Sequence, residues 1–247
     1  MTRNLLLVGG SPSHDFDAIA ESLVHVFAEV AISTTVVTHP DEMISRLASR
    51  GDDAYDLLTV HALHWQMQAE RYAHLRDEHS YAMQGSDAGV IRDFVAGGGG
   101  LLALHGAVVC FDAEPIWHAL CGASWHWERS GHPPLDEADV TVTGQGRMHP
   151  ITSGLTDFTI HDEVYGFLDE DPALVALLEG SHGDRSHPLL WARCVGAGRV
   201  VTDLLGHGVE SMNHPAHHTV LRRSALWASG REGEIVSELG TIKESRR

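Results

Sequence analysis

The feature that most constrains the fold is an alternation of short apolar runs with segments of helical periodicity. The first apolar run, Asn4–Val8, ends at two glycines, and the apolar residues that follow it recur with the spacing of a helix face. Further strands are predicted at Ser33–Val37, at Tyr55–Val60 and from Leu101, with helices at Pro40–Arg50 and from Ser86 or Asp87 to Ala96. Strands separated by helices favour parallel pairing. We therefore predict an α/β fold with a doubly wound, mainly parallel sheet and helices on both faces.

The second half of the chain has a less regular pattern. Short strands are predicted at Ala138–Thr143, Leu174–Leu178, Leu189–Ala192 and Arg199–Leu205, with a hairpin turn over residues 196–198 and a helix from about Pro215 to Ala228. Residues from Gly230 onward are polar and charged. No internal repeat or linker divides the chain, so we predict one domain over residues 1–229 and a loosely ordered polar tail over 230–247.

The charge balance excludes some classes of partner. The chain has 17 Lys and Arg against 34 Asp and Glu, a formal net charge of −17, which disfavours nucleic acid and anionic membrane surfaces. No apolar stretch approaches the ~18 residues of a membrane span, and the first residues lack the apolar core of a signal peptide. These features predict a cytoplasmic protein with a neutral or cationic small-molecule partner, and they leave a homo-oligomer open.

Two histidines follow apolar runs that are typical of buried strands. His105 closes the run that starts at Leu101, and His207 closes the run that starts at Val200. Ligands of open α/β sheets bind at the carboxyl ends of the strands, so we expect these two imidazoles to share one site. The chain has 19 histidines, and for any one of them a structural role is the commoner alternative. The glycine beside each of these two strengthens the functional interpretation, because it allows a ligand to come close.

Two other segments carry candidate groups. His14 and Asp15 lie in the loop after the first strand, where Asp15 could equally be the cap of the following helix. The segment from His161 to Tyr165 contains Asp162 and Glu163, either of which could be a general base or a metal ligand. The alternative for this segment is a charged strand edge or turn.

Several sequence blocks resemble the ThuA-like (trehalose-utilisation) family. The blocks are residues 97–106, 149–155 and 162–165, then Trp191, residues 198–200 and 205–207. This family is similar in fold to the class I glutamine amidotransferases, which are flavodoxin-like. The resemblance implies a role in carbohydrate utilisation. His105 stands where those enzymes have their nucleophilic cysteine, so we do not expect a glutamine amidotransferase.

The three cysteines support this exclusion. Cys110 lies in an apolar segment that would make its thiol unreactive, and none of the cysteines has Cys-x-x-Cys spacing. The sequence therefore argues against a disulfide framework, a thiolate zinc site and a hydrolase that uses Cys110.

Two chemistries fit the candidate residues. His14, His105 and His207, with a carboxylate from Asp162 or Glu163, would form a nitrogen and oxygen ligand set for a divalent metal such as Zn or Mn, with Fe or Ni as further options. In the alternative, which needs no metal or other cofactor, His105 and His207 act as an acid–base pair and Glu163 orients one imidazole.

Aromatic residues could provide a platform for a sugar ring. Trp125, Trp127 and Tyr165 are the candidates for substrate binding, whereas Trp117 is expected in the core of the fold. Residues 125–127 are predicted as a strand, which would place His126 on the face opposite the two tryptophans.

These observations predict an enzyme that acts on trehalose, a related glycoside or a keto-sugar by isomerisation, elimination or hydrolysis. The alternative is a carbohydrate-binding or regulatory protein without catalytic activity.

Overall fold

The computed structural model describes residues 1–49, 51 and 54–235. The strands among them are β1 (Thr2–Gly10), β2 (Ile32–Val37), β3 (Leu57–Leu63), β4 (Gly100–Leu104), β5 (Ala123–Ser124), β6 (Asp136–Val142), β7 (Phe158–Asp162), β8 (Asp169–Glu170), β9 (Ala176–His182), β10 (Arg185–Val195) and β11 (Gly198–Asp203). The α-helices are α1 (Phe16–Ala28), α2 (Pro40–Leu47), α3 (Ala73–His79), α4 (Gly85–Ala96), α5 (Pro115–Cys121), α6 (Val209–Asn213) and α7 (Pro215–Ala228).

Nine strands form one sheet in the order β2-β1-β3-β4-β11-β10-β9-β6-β7, and β5 pairs with β8 separately. Pairing is parallel from β2 to β11 and antiparallel from β11 to β7. The predicted α/β class is confirmed, but "mainly parallel" is wrong, because half of the sheet is antiparallel. The cause is local: Val195 pairs with Gly198 across a two-residue turn, and so short a connection can join only antiparallel strands.

The two halves of the sheet are buried differently. Every residue of β3 and β4 is buried, as expected for parallel strands that are covered on both faces. The helices that cover this half form two groups: α1, α6 and α7 contact one another, and so do the pairs α2–α4 and α4–α5. In the antiparallel half, β6 alternates exposed and buried residues, which leaves one of its faces to solvent.

Helix α1 shows how the sequence specifies the elements near the first loop. The Asp15 carboxylate caps the helix by accepting a bond of 3.1 Å from the Ala18 backbone N–H. Ile19, Leu23 and Phe27 follow at intervals of four residues and are fully buried against the sheet. The helix therefore begins two residues after His14, and the Asp15 cap fixes the end of the turn that contains His14.

The close approach of β1 and β3 brings their carboxyl ends together. Gly10 has a φ of +108°, and a Cβ at this position would lie 2.0 Å from the Leu63 carbonyl oxygen. Only glycine fits there. The first loop and the end of β3 thus meet at the sheet edge where β4 and β11 also end.

Some elements differ from those predicted. Residues 125–127 follow β5 as a loop and not as a strand. His207 lies four residues beyond β11 and not directly at its end. The helices α3 and α6 and the strands β7 and β8 were not predicted, and each has at most seven residues.

The predicted polar tail begins outside the last long helix, but its first residues pack on the domain. Residues 232–235 form a helical turn in which Ile235 is fully buried. Glu232 accepts a bond of 2.6 Å from Arg199 of β11. The rest of the tail, 236–247, lies outside the described residues. Among those that are described, no helix has the length and apolar character needed to span a membrane.

Candidate functional site

His105 is fully buried at the end of β4, in a short 3-10 turn with a φ of +47°. Its Nδ1 lies 2.9 Å from the Leu204 carbonyl oxygen. A carbonyl can only accept, so Nδ1 carries the proton and Nε2 keeps its lone pair. Tyr165 donates its hydroxyl to this Nε2 at 3.1 Å. The backbone therefore fixes the tautomer and leaves Nε2 as the nitrogen of His105 that can bind a ligand.

His14 and His207 lie beside His105, as the strand-end argument predicted. The His14 ring centroid is 4.6 Å from that of His207 and 5.1 Å from that of His105, and the centroids of His105 and His207 are 5.4 Å apart. One nitrogen from each imidazole can be chosen so that all three lie within 4.8 Å of one another. The structure thus confirms that the three predicted histidines converge.

His14 has no hydrogen bond within the described part of the chain. Both of its ring nitrogens are buried and unpartnered, although buried polar atoms in proteins are nearly always paired. Burial, followed by the nearby His105 and His61, lowers the pKa of His14 to about 2. The side chain is held neutral, which is the state of histidine that binds metals.

The two histidines beside His14 have pKa values that are shifted in opposite directions. Burial, followed by His61, lowers the pKa of His105 well below its usual value. The pKa of His207 is raised, chiefly by its hydrogen bond with Glu163. The cluster combines two imidazoles that resist protonation with one that is close to a carboxylate.

Glu163 is the carboxylate that faces this cluster. Its Oε2 lies 3.3 Å from His207 Nδ1 and 3.6 Å from His105 Nε2, and its Oε1 lies 3.3 Å from His132 Nδ1. The residue is mostly buried but lines the adjacent cavity. Glu163 is therefore in reach of both the imidazoles and a bound molecule, which suits a group that moves protons.

Asp162 does not lie where its predicted catalytic role would require. Its buried carboxylate accepts bonds from the backbone N–H groups of Gly206 at 2.7 Å and His207 at 3.2 Å, and from the Ser211 hydroxyl. It does not line the cavity. Asp162 holds the loop between β11 and α6, so it positions His207 instead of contacting a ligand.

A buried network continues from Asp162. Ser211 lies 3.0 Å from His217 Nδ1, and His217 Nε2 lies 3.2 Å from Asp203. Burial lowers the pKa of His217, but Asp203 outweighs it and the net shift is upward. Although these residue types match a Ser-His-Asp triad, they are at most 1% exposed and Ser211 donates to Asp162. The network is structural.

Asp15, the predicted partner of His14, does not line the cavity. It takes the alternative role of helix cap described above, because its carboxylate is turned toward the first backbone N–H groups of α1. The prediction that Asp15 binds substrate is corrected accordingly.

Cys110 and Trp117 have structural roles, as expected, whereas His126, a weaker candidate for the site, does not line the cavity. Cys110 is buried and donates to the Ala62 carbonyl oxygen at 2.9 Å, and burial raises the pKa of its thiol to about 12. Trp117 is fully buried and donates to the Ala107 carbonyl. His126 accepts a bond from the Glu128 backbone.

Two histidines of the site were missed from the sequence. His61 lies in β3, donates to the Gly206 carbonyl at 2.7 Å, and its ring stacks 5.8 Å from that of His105. It directly follows the predicted strand Tyr55–Val60, so in the sequence it carried the same strand-end signal as His105, although the observed strand continues to Leu63. His132 lies in a loop between β5 and β6, and no pattern in the sequence distinguishes it.

A cavity of about 260 Å³ opens beside the histidine cluster. The predicted residues His14, Glu163, Tyr165, Trp125, Trp127 and His207 all line it, together with Ser13, Leu63, Trp65, Tyr72, Val109 and His132. The indole N–H groups of Trp65 and Trp125 are buried without a partner among the described residues. The cavity thus has largely aromatic walls next to the imidazoles, and two of the lining residues carry an unpaired indole N–H.

Comparisons with known proteins identify a family and several proteins of similar fold. The family described as ThuA, trehalose utilisation, matches residues 78–228. No curated protein matches the chain. Similar solved structures include a ThuA-like protein from Parabacteroides merdae ATCC 43184, with 16% identity, a TM-score of 0.70, and coverage of 93% of this chain and 90% of that one. A ThuA-like protein from Bacteroides uniformis ATCC 8492 has 15% identity, a TM-score of 0.66, and coverage of 92% and 91%.

A more distant structure is a cytoplasmic protein from Salmonella typhimurium LT2, with 14% identity, a TM-score of 0.56, and coverage of 93% and 98%. At these identities the structural likenesses show the shared fold alone. The family match, in contrast, covers more than half of the chain. The chain belongs to the ThuA, or trehalose utilisation, family.

Proposed function

We propose that this chain is a metal-assisted enzyme of carbohydrate catabolism, with one divalent ion bound by His14, His105 and His207. The observation that carries this proposal is the orphaned imidazole of His14, which is buried beside two other imidazoles. Leaving buried polar atoms unpaired costs free energy that a bound ion would recover. Three protein ligands and an open fourth position are the pattern of catalytic zinc sites.

The donor set favours zinc over manganese. All three proposed ligands are imidazoles, which suit Zn, whereas Mn prefers carboxylate and water oxygens. Glu163 lies near the cluster but already faces His207 and His132. We therefore place Glu163 outside the ligand set.

When bound, the ion would polarise a sugar oxygen or lower the pKa of a water molecule. Glu163 is the group that accepts or returns a proton in the cavity. Burial, followed by Glu163, raises the pKa of Tyr165 well above its usual value, so its hydroxyl remains a donor. Ligation of His105 Nε2 would release the Tyr165 hydroxyl to donate to a sugar oxygen.

A neutral sugar is the substrate class that the cavity supports. Aromatic faces stack on pyranose rings, and the unpaired indole N–H groups of Trp65 and Trp125 can donate to hydroxyl oxygens. The family description points the same way. Isomerisation and elimination of a keto-sugar begin with removal of the proton beside its carbonyl, and hydrolysis needs a base for the attacking water and a proton for the leaving oxygen. A carboxylate such as Glu163 could move the proton in each case, so the proposal includes all three.

Two finer expectations belong to the same proposal. The parallel half has the order β2-β1-β3-β4-β11, which supports a flavodoxin-like, doubly wound arrangement if β11 is counted as the fifth strand. A cytoplasmic location is supported by the name of the structural relative from Salmonella typhimurium LT2.

The proposal is tested by turnover with and without metal. Chelator-treated protein would be incubated with glucose, trehalose and their keto derivatives, before and after addition of Zn²⁺ or Mn²⁺, and followed by NMR. We expect turnover only after metal is restored. Glu163→Gln should retain the metal and lose about 10²–10⁴-fold in rate.

The other outcomes separate the alternatives. Turnover that persists in chelator would favour the acid–base pair of His105 and His207. Sugar binding without turnover would favour a carbohydrate-binding or regulatory protein. If no sugar binds or reacts, the proposal is wrong.

A further inference from the structure

A second cavity, of about 340 Å³, lies beside the loop after β3 and has an ordinary size for a small-molecule site. Three of its lining residues, Trp65, Tyr72 and Trp127, are aromatic, and we call them the aromatic cage. The acidic member of the lining is Asp112, and the described residues that line the cavity include no Lys or Arg. The aromatic cage also borders the cavity beside the histidine cluster, whereas Asp112 does not. The carboxylate therefore gives this second cavity, the Asp112 pocket, a chemistry of its own.

The rings of the aromatic cage stand in two orientations. The planes of Trp65 and Tyr72 cross at 85° with their centroids 5.5 Å apart, and those of Tyr72 and Trp127 cross at 68° with centroids 6.2 Å apart. The two indoles are closer to parallel, at 29° and 6.1 Å. Together the rings form a corner, and Trp127 is 37% exposed, so a ligand can reach it from solvent. Several aromatic rings around one pocket are the means by which proteins recognise quaternary ammonium groups.

Asp112 supplies this pocket with a half-buried carboxylate that forms no ion pair within the described part of the chain. Its Oδ1 accepts a bond of 3.0 Å from the Gln66 backbone N–H. Burial raises the pKa of this carboxyl, and the hydrogen bonds from Gln66 and Trp127 offset the increase only in part. A cation bound in the pocket would favour the charged form of the carboxyl and so oppose this shift.

The surroundings favour a bulky organic cation over other charged ligands. The Tyr72 ring already makes one cation–π contact, with the Arg71 guanidinium at 4.9 Å from the ring centroid, and Arg71 lies outside the pocket lining. The formal net charge of −17 attracts cations and repels anions. An inorganic cation prefers a shell of oxygen ligands, whereas aromatic rings suit the apolar surface of an alkylated ammonium group.

We propose that the Asp112 pocket binds a quaternary ammonium group, with its methyl groups against the aromatic cage and its charge near the Asp112 carboxylate. The ligand class is a trimethylammonium compound of the size of choline. The inference goes beyond the proposed function and does not depend on it, because it uses neither the three histidines nor a metal ion.

Titration calorimetry of the full chain with a charged and a neutral probe of the same shape tests the proposal. The charged probe is choline, and the neutral probe is 3,3-dimethyl-1-butanol, in which a carbon atom replaces the quaternary nitrogen. Choline should bind about tenfold or more tightly than the alcohol, since only choline gains the cation–π and carboxylate terms. Tetramethylammonium should also bind, because it carries the recognised group without the hydroxyl.

Two pairs of variants separate the parts of the site. Tyr72→Ala should weaken choline binding about tenfold, whereas Tyr72→Phe keeps the ring face and should bind choline within about twofold of the wild type. Asp112→Asn should weaken choline about fivefold and leave the alcohol unchanged. Asp77→Asn is the matched control, because Asp77 lies at an exposed position of α3, does not line the pocket and changes the net charge equally.

Circular dichroism checks that each variant folds. Asp112→Asn keeps an acceptor for the Gln66 N–H, so it serves as the deciding variant if Tyr72→Ala does not fold. Equal affinities for choline and the alcohol, or no binding of choline, would overturn the inference. Choline affinity that falls equally in Asp112→Asn and Asp77→Asn would also overturn it, because that result would indicate general attraction by the acidic surface.

Discussion

At the scale of single residues, metal binding by the proposed ligands depends on which imidazole nitrogens have a free lone pair. The Leu204 carbonyl fixes the proton of His105 on Nδ1, and the buried His14 ring has no protein partner among the described residues. These facts favour shared ligation over an independent acid and base. A cooperating set has a kinetic signature, because the loss of one member removes most of the action of the whole.

His105→Ala and His207→Ala should each abolish turnover of a keto-glycoside. Since both remove a ligand of the same ion, the double variant should be about as inactive as either single variant. Steady-state rates, with circular dichroism as the check on folding, give the answer. Near-wild-type rates in both single variants would make the two histidines bystanders.

Cys110→Ser should leave activity largely unchanged. The serine hydroxyl can also donate to the Ala62 carbonyl, and a thiol with a pKa of about 12 is not a nucleophile at neutral pH. Iodoacetamide labelling would be measured in a Cys194→Ser background, since Cys194 is exposed. Rapid labelling of Cys110 with loss of activity would revive a thiol hydrolase.

The residue types of the site were more predictable than their roles. His105 and His207 could be found because strand-end positions are readable from apolar runs. Asp162 could not be separated from Glu163, because the two are adjacent and only the turn after β7 decides which carboxylate faces the cavity. Sequence reasoning left both as candidates for a general base or a metal ligand. In the structure the Asp162 carboxylate instead accepts bonds from the backbone of the next loop.

At the scale of elements, the loop between β11 and α6 is the part that places His207. It has little regular structure, and its backbone is held by the Asp162 carboxylate, which also accepts a bond from the Ser211 hydroxyl. Long strands and the final helix were predictable from periodicity. This loop was not, because its anchor comes from β7, some 40 residues earlier in the chain.

Asp162→Asn should weaken zinc binding although it removes no ligand. The amide keeps one acceptor but loses the charge that holds the N–H groups of Gly206 and His207, and changes behind a ligand typically cost about 10–100-fold in metal affinity. Competition with a chromogenic chelator measures the dissociation constant. Asp93→Asn, at an exposed position of α4, is the control and should bind zinc as tightly as the wild type does. Equal zinc affinities in the two variants would contradict the positioning role of Asp162.

At the scale of the whole molecule, the sheet is a parallel half that carries the site and an antiparallel half that supplies Asp162 and Glu163. Alternation of strands and helices predicted the first half. The extent of the antiparallel half was underestimated, because short antiparallel strands with one exposed face contain few consecutive apolar residues. The fold also buries several histidines in their neutral form, so the free energy of unfolding should depend on pH.

The free energy of unfolding of the metal-free protein should fall as the pH decreases from about 6.5 to about 5. Burial lowers the pKa values of His61 and His105, and that of His64 to about 4. Below about 6.5 the unfolded chain therefore takes up protons that the folded chain resists, at up to about 1.4 kcal/mol per pH unit for each such group.

His207 and His217 affect the free energy of unfolding in a different pH range. Their raised pKa values give stability that is present below about 6.5 and is lost as the pH rises through the folded pKa, so they do not offset the acid effect. Urea unfolding at a series of pH values in chelator measures the trend. Stability that is constant or increases toward pH 5 would show that the buried imidazoles are not held neutral.

Zinc stoichiometry is the most direct test of our proposal that His14, His105 and His207 bind one ion. Chelator-stripped protein would be titrated with Zn²⁺, dialysed and analysed by mass spectrometry of the metal, alongside His14→Ala and His25→Ala. His25 is the control because it lies on α1 with its side chain 80% exposed. The account predicts one equivalent of zinc in the wild type and in His25→Ala, and loss of tight binding in His14→Ala. Absence of zinc from the wild type, or equal retention by His14→Ala, would contradict it.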